Sequence, residues 1–110
     1  MINSRHLWIE TGTSGAAAAQ NIDHVCPPGQ DSRLRYIYVD SSDGSKVSFT
    51  LERAPGTPVF TGYTPYFTDF GPDGFFVPGD EGQDVRLAIV AGAAGVVTKG
   101  YIMGIDNPRG

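Results

Sequence analysis

The sequence predicts an all-β fold: an antiparallel β-sandwich that closes as a jelly roll of about eight strands. Three observations predict it. The chain carries 15 Gly and 8 Pro in 110 residues, and both residues punctuate tight turns, Gly by reaching positive φ and Pro by pre-setting φ. Between the turns, short runs alternate apolar and polar residues, the period of a half-buried strand. Helix-friendly composition is lacking, and the one alanine run, Ala16 to Ala19, is short and has no charged i,i+4 support.

The elements follow in order. Residues 1–15 read as an N-terminal arm and residues 16–110 as the sandwich domain. Within the arm, "HLWIE" can form a short strand before the breaker run "TGTSG". Gln20 to Cys26 reads as a strand ended by the Pro-Pro-Gly turn. "RLRYIYVDS" alternates, with Leu34, Tyr36 and Tyr38 on one face and Arg35, Ile37 and Val39 on the other, so the strand is expected to be covered on both sides. "SDGS" reads as a hairpin turn, because Asp-Gly tolerates the positive φ of a primed turn. "KVSFTLE" points Val47, Phe49 and Leu51 inward. After "RAPGTP", the segments "VFTGYT" and "YFTDF" are short strands broken by Pro65.

"GPDG", residues 71–74, suits a type I turn, with Pro second and Gly last. "FFV" is a short strand, and "PGDEGQ" is another turn. "DVRLAIV" aligns Val85, Leu87 and Ile89 on one face. "AGAAG" reads as a hairpin turn. "VVTKGYIMGID" is the last strand, in which Gly100 and Gly104 mark bulges or close backbone approach.

The totals bound the function. A chain of 110 residues fits one domain. Its 40% hydrophobic content suffices for a core, and 18% charged residues is low for a disordered chain. A net charge of −4 argues against a non-specific nucleic-acid binder, which needs a basic face. One cysteine, Cys26, allows no intrachain disulfide, which fits an interior or virion-type setting. The N-terminus lacks the apolar stretch of a signal peptide. The longest apolar run, "LAIVAGAAGVV", is too short to span a bilayer as a helix. No membrane and no nucleic acid are expected as partners.

Three constellations could carry chemistry. Asp69, Asp73, Asp80, Glu81 and Asp84 lie in acid-Gly loops of the kind that bind Ca²⁺, but Asp beside Gly is also ordinary turn chemistry, and no ligand spacing recurs. "DHVC" brings together Asp23, His24 and Cys26, a base and a nucleophile on one strand face. The plainer reading makes Cys26 a small buried hydrophobe and His24 a surface or interface residue. The aromatics form the third group. The phenylalanines read first as core. Tyr63 and Tyr66 read as interface, edge or plain surface. Trp8, with Leu7 and Ile9 beside it in a polar arm, is the best anchor for a partner. No phosphate-binding glycine motif is present, and no cofactor or metal is expected.

Several turn and strand signatures resemble the small β-sandwich proteins of tailed-phage structural modules. Pro28-Gly29 precedes the first strong strand, and Gly56 to Phe60 follows a "G-T-P-x-F" pattern. Phe70 to Gly74 forms the "F-G-P-x-G" turn, Gly79 to Val85 approaches the penultimate strand, and Gly95 to Tyr101 closes the fold with one extra residue. The resemblance spans residues 20 to 105. It implies a head decoration, or cement, protein without an active site: a homotrimer of jelly rolls that binds the major capsid protein on the virion surface after assembly in the host cytoplasm. The arm, residues 1–15, falls outside the resemblance and is where a capsid tether would sit. The alternative is a carbohydrate-binding β-sandwich of a phage fibre or glycan-active protein, which predicts exposed coplanar aromatics.

Overall fold

The computed structural model describes residues 6–53, 57–72, 74–77 and 84–108. Within them, nine strands build two antiparallel sheets that pack face to face: β1 His6–Thr13, β2 Gln20–Val25, β3 Gln30–Ser41, β4 Ser48–Arg53, β5 Pro58–Tyr63, β6 Tyr66–Asp69, β7 Phe75–Val77, β8 Asp84–Ile89 and β9 Thr98–Pro108. One sheet runs β1-β9-β3-β6, with β7 also paired to β3. The other runs β2-β8-β4-β5. The fold is a β-sandwich, as its alternating strands predict.

The core lies between the sheets. Leu34, Ile37, Val39 and Ile102 from the five-stranded sheet meet Ile22, Phe49, Leu51, Val85, Leu87 and Ile89 from the four-stranded one. The inward sets predicted for β4 and β8 are therefore the core sets. Phe60, Tyr66, Phe70 and Phe75 pack around this cluster, and Tyr66 lies 5.0 Å from Phe49, ring centre to ring centre.

Three expectations need correction. Strict alternation puts Leu34 with Tyr36 and Tyr38, but Leu34 is fully buried beside Ile37 and Val39. The pairing of β3 with β9 slips between Leu34 and Tyr36. The extra residue, Arg35, forms a bulge that reverses the facing of everything after it. The carbonyl of Arg35 is satisfied by the Phe70 amide at 2.8 Å.

"SDGS" is not a hairpin. Gly44 has the positive φ expected, +76°, and the Asp43 carboxylate accepts from the Ser45 amide at 2.9 Å. The turn nevertheless carries the chain from β3 in one sheet to β4 in the other. The "AGAAG" turn likewise arches between β8 and β9, which belong to different sheets. Of the successive strands, β4 and β5 pair as a hairpin.

The segment read as an arm is the third case. Its residues 6–13 are β1, the edge strand of the five-stranded sheet, and β1 pairs with β9 along its whole length from His6↔Asp106 to Thr13↔Lys99. Gly12, facing Gln20 and Ile22 of β2, and Gly100 and Gly104, facing β3, let the neighbouring elements approach closely. A Cβ on Gly104 would collide with the Arg33 carbonyl and the Trp8 ring, and one on Gly100 would sit 2.5 Å from the Tyr38 carbonyl oxygen. The predicted close approach at Gly100 and Gly104 is what the structure has.

Candidate functional site

The two sheets differ on their outer faces. On the five-stranded sheet the register of β1, β9, β3 and β6 lays out cross-strand rows. Leu7, Ile105 and Arg33 form one row, and Ile9, Met103, Tyr36 and Asp69 form the next. Thr11, Tyr101, Tyr38 and Phe67 follow, then Thr13, Lys99 and Asp40. Alternation sends these side chains outward because Trp8, Glu10, Ile102 and Val39 point into the sandwich. The face is apolar at the Leu7 end and aromatic in the middle. Its charges are Arg33 and Asp69 at the ends of their rows on these four strands, and Lys99 and Asp40 in the last row.

Exposure along this face is high for apolar groups. Leu7 is 79% exposed, Ile9 52% and Phe67 56%. A cavity of about 200 Å³ lies between Leu7, Trp8, Ile9 and Met103. The four-stranded sheet is mixed outside. There Asn21, Asp23, Arg86, Ala88, Thr50, Glu52 and Thr61 face outward, together with Val25, Val59 and Tyr63 on its two edge strands, which are 65%, 39% and 59% exposed, and Arg86 Nε donates to Asp23 Oδ1 at 2.6 Å. Contiguous exposed apolar surface on a small domain marks an interaction site.

The sequence-predicted interface residues divide. Leu7 and Ile9 stand on the exposed face. Tyr63 is 59% exposed, but on β5, the edge of the other sheet. Tyr66 packs on Phe49 and Phe60 at the margin of the core. Trp8 is turned inward and packs against the core. Phe67, one of the phenylalanines expected inside, is outside. Tyr36, Tyr38, Tyr101, Met103 and Ile105 were not singled out from the sequence. The alternation Gly100, Ile102, Gly104 was their signal, since small and apolar residues inward leave Tyr101, Met103 and Ile105 outward.

His24 is neither on the surface nor at an interface. It is 7% exposed on β2, and it lies flat against Trp8, with ring centres 3.7 Å apart and planes 6° apart. Its Nδ1 is 3.0 Å from Glu10 Oε2, and its Nε2 is 3.0 Å from both oxygens of Asp106. Both ring nitrogens thus face a carboxylate. Glu10 and Asp106 belong to β1 and β9, so His24 ties the four-stranded sheet to the edge of the other one. The two acids sit on opposite sides of the ring and do not converge on one point. Among the described residues, no group of three or more His, Cys, Asp or Glu is arranged to hold a metal ion.

The "DHVC" residues do not assemble as a reactive set. Asp23 points to the opposite face from His24 and pairs with Arg86. Cys26 is buried, and its Sγ donates to the Gln30 carbonyl at 3.4 Å. Of the acidic-loop residues, Asp69 accepts from the Gly71 amide at 2.7 Å, a turn role, and Asp84 begins β8. Asp73, Asp80 and Glu81 lie outside the described residues. Among the described residues, no helix is long and apolar enough to cross a membrane.

No protein-family model matches the chain, and no curated protein matches it.

Proposed function

We propose that the protein is a structural decoration protein of a tailed-phage head, a cement protein that binds the major capsid protein as a homotrimer and holds neighbouring capsomers together. The nested strand order, β1-β9-β3-β6 against β2-β8-β4-β5, is read here as a jelly roll, in keeping with the resemblance of its turns and strands to that class. The observation that carries the reading is the contiguous apolar end of the five-stranded sheet. Leu7, Ile9, Met103 and Ile105 make an apolar end on the outer face of the five-stranded sheet, with Leu7 79% exposed, while the exposed apolar side chains of the other sheet, Val25, Val59 and Tyr63, are split between its two edge strands β2 and β5. Burying such a patch against a shell contributes about 25 cal/mol per Å² of apolar area before association costs. The edge strand that carries Leu7 and Ile9 is clamped to the domain through Glu10 and His24, so the patch is presented on a rigid support.

The test is binding to particles. Purified protein is mixed with phage heads stripped of decoration and sedimented, and its mass in free solution is measured by light scattering. Saturable co-sedimentation and a trimer mass support the reading. Failure to bind heads at any protein concentration defeats it.

A further inference from the structure

We infer that the aromatic row on the outer face of the five-stranded sheet is a binding site for an oligosaccharide chain, laid across the strands from Thr11 and Tyr101 to Phe67. This goes beyond the decoration reading and does not depend on it: the row adjoins the Leu7 end but shares none of Leu7, Ile9, Met103 and Ile105 with it.

Tyr101, Tyr38 and Phe67 are cross-strand neighbours on β9, β3 and β6. Strands are spaced about 4.8 Å apart, so the three positions span roughly 10 Å in steps of one strand. Tyr38 and Tyr101 have ring centres 5.5 Å apart and planes at 31°. Tyr36, beside them, lies 6.1 Å from Phe67 with planes at 20°. The rings thus form a shallow, gently turning floor. The C–H face of a pyranose carries partial positive charge and suits the negative face of an aromatic ring.

Polar groups border one end of the floor. An open groove of about 230 Å³ is lined by Thr11, Thr13, Tyr38, Lys99 and Tyr101, with Gly12 and Gly100. That is below the ~300 Å³ at which sites for drug-sized ligands begin, so it takes a single small ring of a longer chain. The two threonine hydroxyls donate and accept, and the exposed Lys99 ammonium donates, which matches the hydroxyls of a sugar. Asp40 fixes the tyrosine: its Oδ2 accepts from the Tyr38 hydroxyl at 2.9 Å and its Oδ1 from the Ser41 amide at 2.8 Å. A nucleic-acid strand could also stack on aromatic rings, and two cations stand by the row, Lys99 and Arg35, the latter 5.4 Å from the Tyr36 ring centre. Asp40 and Asp69 beside it offset them, and the net charge of −4 gives no basic face for phosphates.

The test is a ¹⁵N NMR titration of the full chain with cellohexaose, maltohexaose, laminarihexaose, chitohexaose and a dT oligonucleotide, each to millimolar concentration. Binding of at least one sugar is expected, with shifts centred on the amides of Thr11, Tyr38, Lys99 and Tyr101. Tyr101→Ala and Phe67→Ala should each weaken it about tenfold or more. Tyr101→Leu, which keeps bulk without the ring, should weaken it as well, and this separates stacking from misfolding. Leu7→Asp with Ile9→Asp should leave sugar binding unchanged while affecting head binding, so the two readings fail separately. No shift with any of the four sugars, shifts centred elsewhere, or binding of the dT oligonucleotide in place of sugars would overturn the inference.

Discussion

Trp8 lies flat on His24, ring centre to ring centre 3.7 Å, and joins a strand of one sheet to a strand of the other. The stack is held from both sides of the imidazole, by Glu10 and by Asp106. Removing one partner of a buried, hydrogen-bonded pair costs about 3–5 kcal/mol, because the other is left buried and unpaired. Asp106→Ala and His24→Ala should therefore destabilise the domain by that amount in denaturant melts. Glu10→Gln should cost much less, since the Glu10 side chain is 40% exposed. The fluorescence of Trp8, the single tryptophan, should change in His24→Ala before any unfolding. Equal effects of all three substitutions would contradict the clasp.

The bulge at Arg35 makes a second prediction. Leu34→Ala removes a fully buried side chain and should cost about 2–5 kcal/mol. Tyr36→Ala, on the outer face, should cost roughly 1 kcal/mol or less. Paired denaturant melts decide it, and similar losses at both positions would place the two side chains on one face after all.

That pair also shows what the sequence could and could not convey. Alternation located the strands and named the inward sets of β4 and β8 correctly, because those strands keep a strict period of two. It failed at β3, where one inserted residue exchanges the faces and nothing in "RLRYIYV" marks the insertion. Turn residues marked where the chain bends but not whether the flanking strands pair. Asp43-Gly44 has the backbone of a turn, yet it bridges two sheets. The His24 cluster was illegible for another reason. Its partners stand 14 and 82 residues away, and only the sheet order brings them together. Trp8 looked unpacked in a polar segment, because the groups that cover it come from β2 and β9.

The fit of β9 against β3 and the Trp8 ring rests on a missing side chain. Gly104→Ala would push a methyl into the Arg33 carbonyl and the Trp8 ring, neither of which can yield without moving the sheet. A loss of at least about 2 kcal/mol is expected. Gly15→Ala, whose new methyl would have the Ala18 Cβ as its nearest neighbour at 4.0 Å, should change stability by no more than about 0.5 kcal/mol. Thermal melts of the two variants check the contrast.

Tyr38 gives a pH prediction. Its hydroxyl donates to Asp40, and that bond, with lesser help from burial and nearby charge, raises its pKa above the usual tyrosine value. The folded state thus favours the protonated phenol. The resulting stability is complete below the ordinary tyrosine range and is lost as pH rises through the raised value. In an alkaline titration followed by tyrosinate absorbance, one of the five tyrosines should ionise late. Asp40→Asn should bring that step down, and Tyr38→Phe should remove it. A titration unchanged by both substitutions would count against the bond.

The central claim is that the protein docks by the Leu7 end of its five-stranded sheet. The most direct measurement compares head binding by co-sedimentation for three proteins: the natural chain, the double variant Ile9→Asp and Met103→Asp, and Thr61→Asp on the opposite sheet as a control. The account predicts that the double variant loses binding while remaining folded, and that Thr61→Asp binds like the natural chain. Undiminished binding by the double variant, or loss with Thr61→Asp alone, would contradict it.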